Sequence, residues 1–461
     1  MLLVIVLVPL LVIAAGVGAF ALTRALRHGH STKAVAGVVI PPALADADSP
    51  PAVPPTPASA LVPKPAALAT VIAAPLTAPN LGSQLLVRIV DAETGQVLFD
   101  HLGSRPAAPA STAKLMTATA ILAVRPASYR FRTVVRSSGS TLYFVGGGDP
   151  TLSGAGKGQV EAYPGAARIS TLAGQIKRAG LVVDRIIVDD SLFSGPSVSP
   201  YWEPEDVPSS YASAITPLMA DGGRLSPQSY WRTATPDLVA GQELATALGQ
   251  SGIPVTRGKT PAAATLVASV ESEPLSVMIE QMLHESDNVI AEVLARQVAI
   301  AEKDPVSFVG AVAAIRTVLA GLGVDVGTGM KDGSGLAASD RVSPASLVDV
   351  LRLVAGYGAP PKGVTVPTAI GTIIAALPVA GWSGTLSYRY QTGEAAKFVG
   401  DVRAKTGSID GITSLSGYIH DRSGRLLIFS MDADRTPIGG TQAAEYALDD
   451  VVAAIASCGC G

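Results

Sequence analysis

The sequence has few cysteines, few aromatic residues and few charges for its length of 461 residues. Aromatic residues make up 5% and charged residues 15% of the chain, and the formal net charge is -3 at pH 7. No basic tract is present, which argues against a nucleic-acid partner. The chain also lacks the acidic tail that a cationic partner would recognise.

Both cysteines stand almost at the end of the chain, in the sequence Cys458-Gly459-Cys460. Two cysteines separated by one residue do not form the framework of a small disulfide-rich fold. They also lack the additional Cys or His ligands that a structural zinc site needs. We therefore interpret them as part of a frayed C-terminal tail rather than as a metal site.

The N-terminal segment is apolar. Residues 1–22 contain no ionisable side chain, and this length can span a bilayer as a helix. We predict residues 1–23 to be a membrane anchor or a signal peptide. The basic residues Arg24 and Arg27 follow this segment rather than precede it, and by the positive-inside rule this order would favour a cytoplasmic body. Residues 24–80 are rich in Pro and Ala and are predicted to form a semi-rigid linker.

The rest of the chain predicts an α+β body. Residues 81–135 contain a hairpin signal in QLLVRIVDAETGQVLFDHL and a helix-like apolar run after Ser111. Residues 136–268 have many short β-like runs separated by turn clusters. Residues 269–461 contain helical blocks, then β-like runs and a final helix. Strands, central helices and strands again are typical of this fold class.

A serine and a lysine stand three residues apart at the front of the apolar run, in Pro-Ala-Ser111-Thr-Ala-Lys114. If a helix begins at Ser111, the two side chains lie on the same face. Burial and a second cation nearby would lower the lysine pKa until its free amine could take the serine proton. The match alone is weak, because Ser-x-x-Lys arises by chance about once in a chain of this length.

Two further motifs strengthen this interpretation. Ser286 and Asn288 form a Ser-x-Asn motif within a helical block, and Lys405-Thr406-Gly407 lies in a strand pattern. Ser-x-x-Lys, Ser-x-Asn and Lys-Thr-Gly in this order are the signature of the penicillin-recognising serine enzymes. Together the three motifs indicate an acyl-transfer site.

The second motif suits proton transfer and substrate binding. The hydroxyl of Ser286 could relay a proton between Lys114 and a leaving amine. The amide of Asn288 could hold the substrate backbone or the Lys114 side chain. Asp332, in the turn-rich segment GTGMKDGSG, is predicted to shape a loop rather than to act as an acid.

The third motif suits carboxylate binding beside the nucleophile. Lys405 would attract a substrate carboxylate and lower the pKa of the first lysine, and Thr406 would donate a hydroxyl to that carboxylate. Gly407 would let a substrate lie against the strand edge. The backbone N–H groups of Ser111 and Ser408 would form the oxyanion hole.

The body resembles the class-C low-molecular-mass penicillin-binding proteins, the D-alanyl-D-alanine carboxypeptidase/endopeptidase family of bacterial cell-wall enzymes. The resemblance extends to VDAETGQVL, GGGDPTL, IIVDDSLF and KDGSGLAASDRVSPASLVDVL, and covers most of residues 81–432. It implies a β-lactamase/transpeptidase-like fold, an antiparallel sheet flanked by helices. Because Ser111 and Ser286 lie further apart than such a core needs, we expect an inserted β-rich domain at residues 136–268. A second insertion typical of the family is expected to be reduced or missing.

The resemblance also implies the chemistry. Ser111 would attack the carbonyl that precedes the terminal D-alanine of a peptidoglycan stem peptide, and water or an acceptor amine would resolve the ester. β-Lactams would acylate the same serine, and neither a metal nor an organic cofactor would take part. The site of action would be extracytoplasmic, on an enzyme that is secreted or tethered to the cytoplasmic membrane.

Several alternatives stay open at this point. A β-lactamase would need a deacylation apparatus, for which the sequence shows no additional glutamate motif. A wall-binding scaffold without activity is disfavoured by three intact motifs. An esterase or amidase for a small D-amino-acid substrate could use the same residues. The sequence also does not separate carboxypeptidase from D,D-endopeptidase activity.

Overall fold

The structure is a computed structural model and describes residues 53–54, 56–156 and 158–461. The predicted anchor at residues 1–23 and the first part of the predicted linker lie outside these residues. None of the helices in the described part of the chain is long and apolar enough to cross a membrane.

Two sheets and the helices around them form the described body. Its strands are β1 (Leu85–Asp91), β2 (Val97–His101), β3 (Arg132–Ser138), β4 (Thr141–Val145), β5 (Arg185–Asp189), β6 (Val255–Arg257), β7 (Thr265–Glu271), β8 (Arg403–Ile409), β9 (Ile412–His420) and β10 (Leu426–Asp434). Its α-helices are α1 (Pro65–Ile72), α2 (Lys114–Val124), α3 (Ile169–Arg178), α4 (Pro236–Leu248), α5 (Leu275–His284), α6 (Asn288–Glu302), α7 (Phe308–Gly321), α8 (Pro344–Val354), α9 (Ile373–Ala376) and α10 (Thr441–Ala456).

The first sheet is antiparallel and has the strand order β2-β1-β10-β9-β8. β1 pairs with β10, with Ile89 opposite Phe429, so the beginning and the end of the body close one sheet. Successive side chains alternate between its faces. Ile428 belongs to a core that includes residues of α2, α5, α6, α7 and α8, whereas Phe429 belongs to a core that includes residues of α1 and α10. Helices therefore cover both faces, which is why β9 and β10 are buried along almost their whole length.

The predicted hairpin around DAETG forms, and a second hairpin lies near the end of the chain. β1 and β2 flank the DAETG segment and pair antiparallel. β8 and β9 are joined by Asp410 and Gly411, and Gly411 has a φ of +75° that suits glycine in a tight hairpin turn. This hairpin leaves β8 at the edge of the first sheet.

The second sheet lies within the interval between Ser111 and Ser286. Its order is β6-β5-β4-β3-β7, with antiparallel β3 pairs and a parallel β4-β5-β6 ladder. Helices α3 and α4 share its core. The sheet extends from Arg132 to Glu271, a few residues beyond the predicted bounds of 136 and 268, and these domain boundaries stay a prediction. Residues 190–235 of the same interval form turns, short 3-10 segments and isolated β-bridges.

Part of the predicted linker belongs to the folded body instead. Pro65–Ile72 forms α1, and its Leu68 and Ile72 are fully buried against the core that includes α10. The prediction from composition missed this helix because a Pro/Ala-rich segment with few charges is typical of a spacer. Ala and Leu also favour helix, and Pro65 stands at its first position, where proline is tolerated.

The C-terminal tail is docked rather than frayed. Cys458 is buried in the same core as α1 and forms a disulfide with Cys460. The backbone N–H of Lys64 donates to the carbonyl of Cys460 at 2.8 Å, and that of Arg422 to the carbonyl of Cys458 at 3.1 Å. The prediction of a frayed tail is therefore wrong. Backbone hydrogen bonds join the tail to the residue before α1 and to the β9–β10 turn.

The position of α1 predicts a large effect of one side chain. Leu68→Ala is expected to lower the free energy of unfolding by about 2 to 4 kcal/mol, since it opens a cavity in a closed core. Val71→Ala in the same helix is the matched control, because Val71 is 40% exposed, and it should cost less than about 1 kcal/mol. Urea denaturation followed by circular dichroism measures both. Two equally small effects would contradict the docking of α1.

Candidate active site

Ser111 lies on a 3-10 turn, Ala110–Ala113, directly before α2. The α-helix itself begins at Lys114 rather than at Ser111. The tighter turn still brings the two side chains together, since Lys114 Nζ lies 2.9 Å from Ser111 Oγ. Ser111 is half-buried, whereas Lys114 is fully buried.

Lys114 is fully buried, and its amine has three acceptors. Nζ donates to Ser111 Oγ at 2.9 Å, to Asn288 Oδ1 at 2.6 Å and to the carbonyl of Ser334 at 2.7 Å. Burial lowers the pKa of Lys114 from 10.5 to about 8, against the opposing effect of nearby carboxylates, of which Asp332 is the strongest.

This arrangement suits proton transfer from the serine. The three hydrogen bonds match the three N–H donors of the charged form. When the amine is free, the N–H groups can remain on Asn288 and Ser334, and the lone pair can then face Ser111 Oγ. A base with a pKa near the working pH is effective in general base catalysis. The contacts are therefore those expected if Lys114 activates Ser111, and this role stays a prediction.

The predicted helical block is broken at the Ser-x-Asn motif. α5 ends at His284 and α6 begins at Asn288, and Ser286 in the break has a φ of +56°, which is unusual for a residue with a side chain. The break places Asn288 at the first position of α6. Its Oδ1 accepts from Lys114, and its Nδ2 donates to the carbonyl of Tyr211 at 3.2 Å.

Ser286 is half-buried and stands two residues from Asn288. Lys114 gives its three N–H groups to other acceptors, so none of them goes to the Ser286 hydroxyl in this arrangement. The structure thus joins the first and second motifs through Asn288, and places Ser286 beside this junction without a direct bond to the amine.

Lys405, on β8, is also fully buried. Its Nζ donates to the carbonyl of Thr406 at 2.8 Å. Burial holds the pKa of Lys405 well below its usual range, and repulsion from Lys114 lowers it further. Thr406 donates its hydroxyl to Thr385 Oγ1 at 2.7 Å. The repulsion between the two buried amines thus lowers the pKa of Lys405, and the predicted lowering of the Lys114 pKa by Lys405 stays a prediction.

Gly407 brings β8 against the nucleophile. A Cβ on this glycine would lie 2.9 Å from the backbone nitrogen of Ser111, so no side chain fits. The N–H of Ala404 points away from β9, since it donates to Pro378 at 3.1 Å. Because N–H directions repeat every second residue of a strand, that of Ser408 points to the same open edge. The hydroxyl of Ser408 donates elsewhere, to Glu445 at 2.7 Å.

The carbonyl of Ser334 is a contact to Lys114 that the sequence motifs missed. It lies in a loop fixed by Asp332, whose carboxylate accepts the backbone N–H groups of Ser334, Gly335 and Ala337 at 3.0, 2.7 and 2.9 Å. Trp202 Nε1 donates to the same carboxylate at 2.7 Å. The loop-shaping role predicted for Asp332 is confirmed. The Asp-Gly-Ser-Gly turn was the available signal, but it does not reveal which carbonyl meets the lysine.

Two helices hold the same loop from the other side. Glu292 on α6 accepts the N–H of Gly333 at 2.9 Å, and Thr117 on α2 donates to the Gly333 carbonyl at 2.6 Å. Burial and the charge of Asp332 raise the pKa of Glu292 to about 7. The helices that carry Lys114 and Asn288 therefore also position the third acceptor of the amine.

Comparison with known sequences gives matches over almost the whole chain. Residues 68–232 and 226–453 match the model of the D-Ala-D-Ala carboxypeptidase 3 (S13) family. The carboxypeptidase DacB of Mycolicibacterium smegmatis is 39% identical over 449 residues, which cover 94% of this chain and 92% of that protein. A carboxypeptidase of Mycobacterium tuberculosis is 39% identical over 430 residues, with 90% of each chain covered.

Comparison with solved structures gives the same fold. Penicillin-binding protein 4 of Haemophilus influenzae superposes with a TM-score of 0.67 at 22% identity, over 80% of this chain and 96% of that one. A structure of the same protein in complex with a β-lactam gives a TM-score of 0.62, over 83% of this chain and 98% of that one. The likeness confirms the predicted α+β fold class with an inserted domain.

The geometry predicts the titration of Lys114. Its pKa is expected at about 8, so that about a tenth of the amine is free at pH 7 and about nine tenths at pH 9. Asp332→Asn should lower this pKa further, because the Asp332 carboxylate favours the ammonium form. NMR titration of ¹³Cε-labelled lysine, with the resonance assigned through Lys114→Arg, measures both values.

Asp325→Asn is the matched control for this titration. Asp325 is exposed and also accepts a backbone N–H, that of Gly327, at 2.8 Å. This variant should leave the pKa of Lys114 unchanged. A midpoint near 10.4 in the unmodified protein, the ordinary value for lysine, would contradict the account of burial given above.

Proposed function

The chain belongs to the D-Ala-D-Ala carboxypeptidase 3 (S13) family, and on that premise we propose that it removes the terminal D-alanine from peptidoglycan stem peptides through an ester on Ser111. Membership confirms the resemblance drawn from the sequence and the prediction of a serine peptidase. The observation that carries the proposal is the buried amine of Lys114, 2.9 Å from Ser111 Oγ.

In the acylation step, the free amine of Lys114 takes the hydroxyl proton of Ser111. The Ser111 oxygen forms a bond to the carbonyl carbon between the two D-alanines, and the carbonyl oxygen becomes an oxyanion. The N–H groups of Ser111 and Ser408 stabilise this negative charge. In support of this role, the N–H of Ser408 points to the open edge of β8, and Ser111 lies next to this strand at Gly407. The 3-10 turn and the start of α2 add positive partial charge at the same point.

The leaving group then needs a proton. The proton held by Lys114 passes through the Ser286 hydroxyl to the amine of the terminal D-alanine, the C–N bond breaks, and D-alanine leaves. Water then attacks the ester carbonyl and gives a proton to Lys114. Lys114 returns this proton to Ser111 Oγ as the ester bond breaks, which releases the shortened peptide and restores the free amine. In support of this relay, Ser286 is half-buried and lies beside Asn288, which binds Lys114.

An extended substrate would bind as an added strand along the open edge of β8. Lys405 and Thr406 would bind its terminal carboxylate, and Gly407 would allow the close approach to Ser111. Asn288 would hold the substrate backbone as well as Lys114. The edge position of β8 and the absence of room for a side chain at Gly407 support this placement.

β-Lactams would acylate the same serine, because their carbonyl and carboxylate imitate those of the peptide terminus. The Haemophilus influenzae protein of the same fold was solved with a β-lactam. The runner-up function is a β-lactamase, which differs by rapid hydrolysis of the penicilloyl ester. A scaffold without activity is disfavoured, since Ser111, Lys114 and Asn288 are in contact. D,D-endopeptidase activity would use the same residues on a cross-linked peptide.

We place this activity outside the cytoplasm, where peptidoglycan is trimmed. Residues 1–23 would act as a membrane anchor or a signal peptide, and the Pro/Ala-rich chain that follows would hold the folded body away from the membrane. The apolar length of residues 1–22 and the family membership support this arrangement.

Release of D-alanine tests the substrate assignment. A synthetic stem pentapeptide that ends in D-Ala-D-Ala should lose one residue, and Ser111→Ala should lower the rate by at least about 10³-fold, since the nucleophile is lost. Ser170→Ala, at an exposed helical serine of the insertion, is the control and should retain the full rate. Mass spectrometry of the peptide measures the loss, and an unchanged peptide with the unmodified enzyme would contradict the proposal.

Penicillin labelling separates the carboxypeptidase from the β-lactamase. A fluorescent penicillin should form a long-lived adduct that peptide mapping assigns to Ser111 and that Ser111→Ala lacks. Decay of the label within seconds would favour the β-lactamase instead. No label on a folded protein would leave the inactive scaffold as the better interpretation.

A further inference from the structure

The middle residue of the Ser-x-Asn motif, Asp287, has a carboxylate that accepts hydrogen bonds from side chains of the inserted region. Asp287 lies between Ser286 and Asn288, and only 4% of its surface is exposed. Its Oδ2 accepts from Arg232 Nη2 at 2.8 Å and from Arg224 Nη2 at 3.3 Å. Tyr163 adds a third bond to the same oxygen, at 2.7 Å. All three donors belong to the chain between the first two motifs.

The other oxygen of Asp287 acts on the catalytic helix. Oδ1 accepts the backbone N–H groups of Val289 and Ile290, at 2.9 and 3.1 Å, and so caps the N-terminus of α6. The two oxygens therefore have separate tasks. One fixes the first turn of the helix that begins with Asn288, and the other fixes this helix to the insertion.

The arginines are themselves fixed. Arg224 and Arg232 face each other across an antiparallel bridge. Arg232 is buried, and its Nη1 donates to the carbonyl of Gly222 at 2.6 Å. Arg224 stacks on the Tyr163 ring, 4.7 Å from its centroid, and also donates to the Tyr163 hydroxyl. The clamp, which we define as Tyr163, Arg224 and Arg232, is thus held by contacts within the insertion as well as by its bonds to Asp287.

The two arginines of the clamp compensate the negative charge of the buried Asp287 carboxylate. A buried carboxylate is unfavourable unless it is paired and hydrogen-bonded. The arginines, with Arg232 the stronger, hold the pKa of Asp287 well below its usual range in spite of burial. Without them the carboxylate would be drawn towards water or towards the amine of Lys114, whose pKa it already raises.

We propose that Arg232 is a positioning residue for the acyl-transfer reaction, which acts through Asp287 on Ser286 and Asn288. The inserted region is then part of the catalytic machinery and not only an appended domain. This inference rests on the proposed function, since it concerns the rate at which Ser111 is acylated.

Asp287 can affect Ser286 and Asn288 through the conformation of the break between α5 and α6. Ser286 has a φ of +56°, a value that persists only where its surroundings impose it. Asp287 is the adjacent residue, and its N–H donates to the Met282 carbonyl at 3.1 Å. A released Asp287 would let Ser286 relax and Asn288 move from its 2.6 Å contact with Lys114. Displacements of about 1 Å in a catalytic group can cost about 100-fold in rate.

The time course of labelling by a fluorescent penicillin tests this inference. Its rate constant at saturation reports the geometry of the site, and its amplitude reports the folded fraction. Arg232→Met should lower the rate constant about 10- to 100-fold, and Arg232→Lys should restore part of the loss. Asp287→Asn should also be slow, and the double variant with Arg232→Met should lose little more, since both changes break one interaction.

Arg257→Met is the matched control. Arg257 also belongs to the insertion and forms a two-bond pair with a buried carboxylate, that of Asp237, at 2.5 and 2.8 Å. Asp237 lies on α4, next to the second sheet and away from the Ser-x-Asn motif. This variant can lower stability, but its acylation rate constant should stay within about twofold of the unmodified protein.

Each outcome decides the inference. Labelling of Arg232→Met at the normal rate constant, with only a reduced amplitude, would show a purely structural role and overturn it. If this variant does not fold, a folded Arg232→Lys with the normal rate constant would overturn it equally. An unmodified protein without label on Ser111 would overturn the proposed function, and the inference would fall with it.

Discussion

Burial of the Lys114 amine is the constraint on which the rest of the site depends. An ammonium group inside a protein is costly unless acceptors surround it, and a free amine there is a competent base. The structure supplies three acceptors, Ser111 Oγ, Asn288 Oδ1 and the carbonyl of Ser334. They come from separate parts of the chain, so α2, α6 and the Asp332 loop must converge on one nitrogen. Much of the fold can be understood as the support for this convergence.

The chain topology brings these parts together. Pairing of β1 with β10 closes the first sheet, and the hairpin with β9 places β8 beside Ser111. The helical core on one face of that sheet contains α2 and α6. The insertion reaches the site from the other direction, through the carbonyl of Tyr211 on Asn288 and the clamp on Asp287. The residues between Ser111 and Ser286 and the helices that carry Lys114 and Asn288 therefore share one polar network.

Several features could be predicted because they depend on local pattern. The Asp-Gly turn of the β8–β9 hairpin, the helix after Ser111 and the three motifs have signatures within a few residues. Other features have none. The carbonyl that Ser334 gives to Lys114 depends on a loop closed by distant groups, and any residue has a carbonyl. Likewise, Arg232 is one arginine among many until the fold pairs it with Asp287, and the sequence of α1 does not show that its apolar side packs in the core that includes α10.

A crystal structure of the protein acylated by a penicillin would show whether Ser111, above the buried Lys114 amine, is the nucleophile. We expect an ester on Ser111 Oγ, with its carbonyl oxygen bound by the N–H groups of Ser111 and Ser408. The penicillin carboxylate should lie at Lys405 and Thr406, and Lys114 should keep its contacts beneath the ester. An adduct on another residue, or a carbonyl oxygen turned away from β8 with Lys114 displaced, would contradict the account.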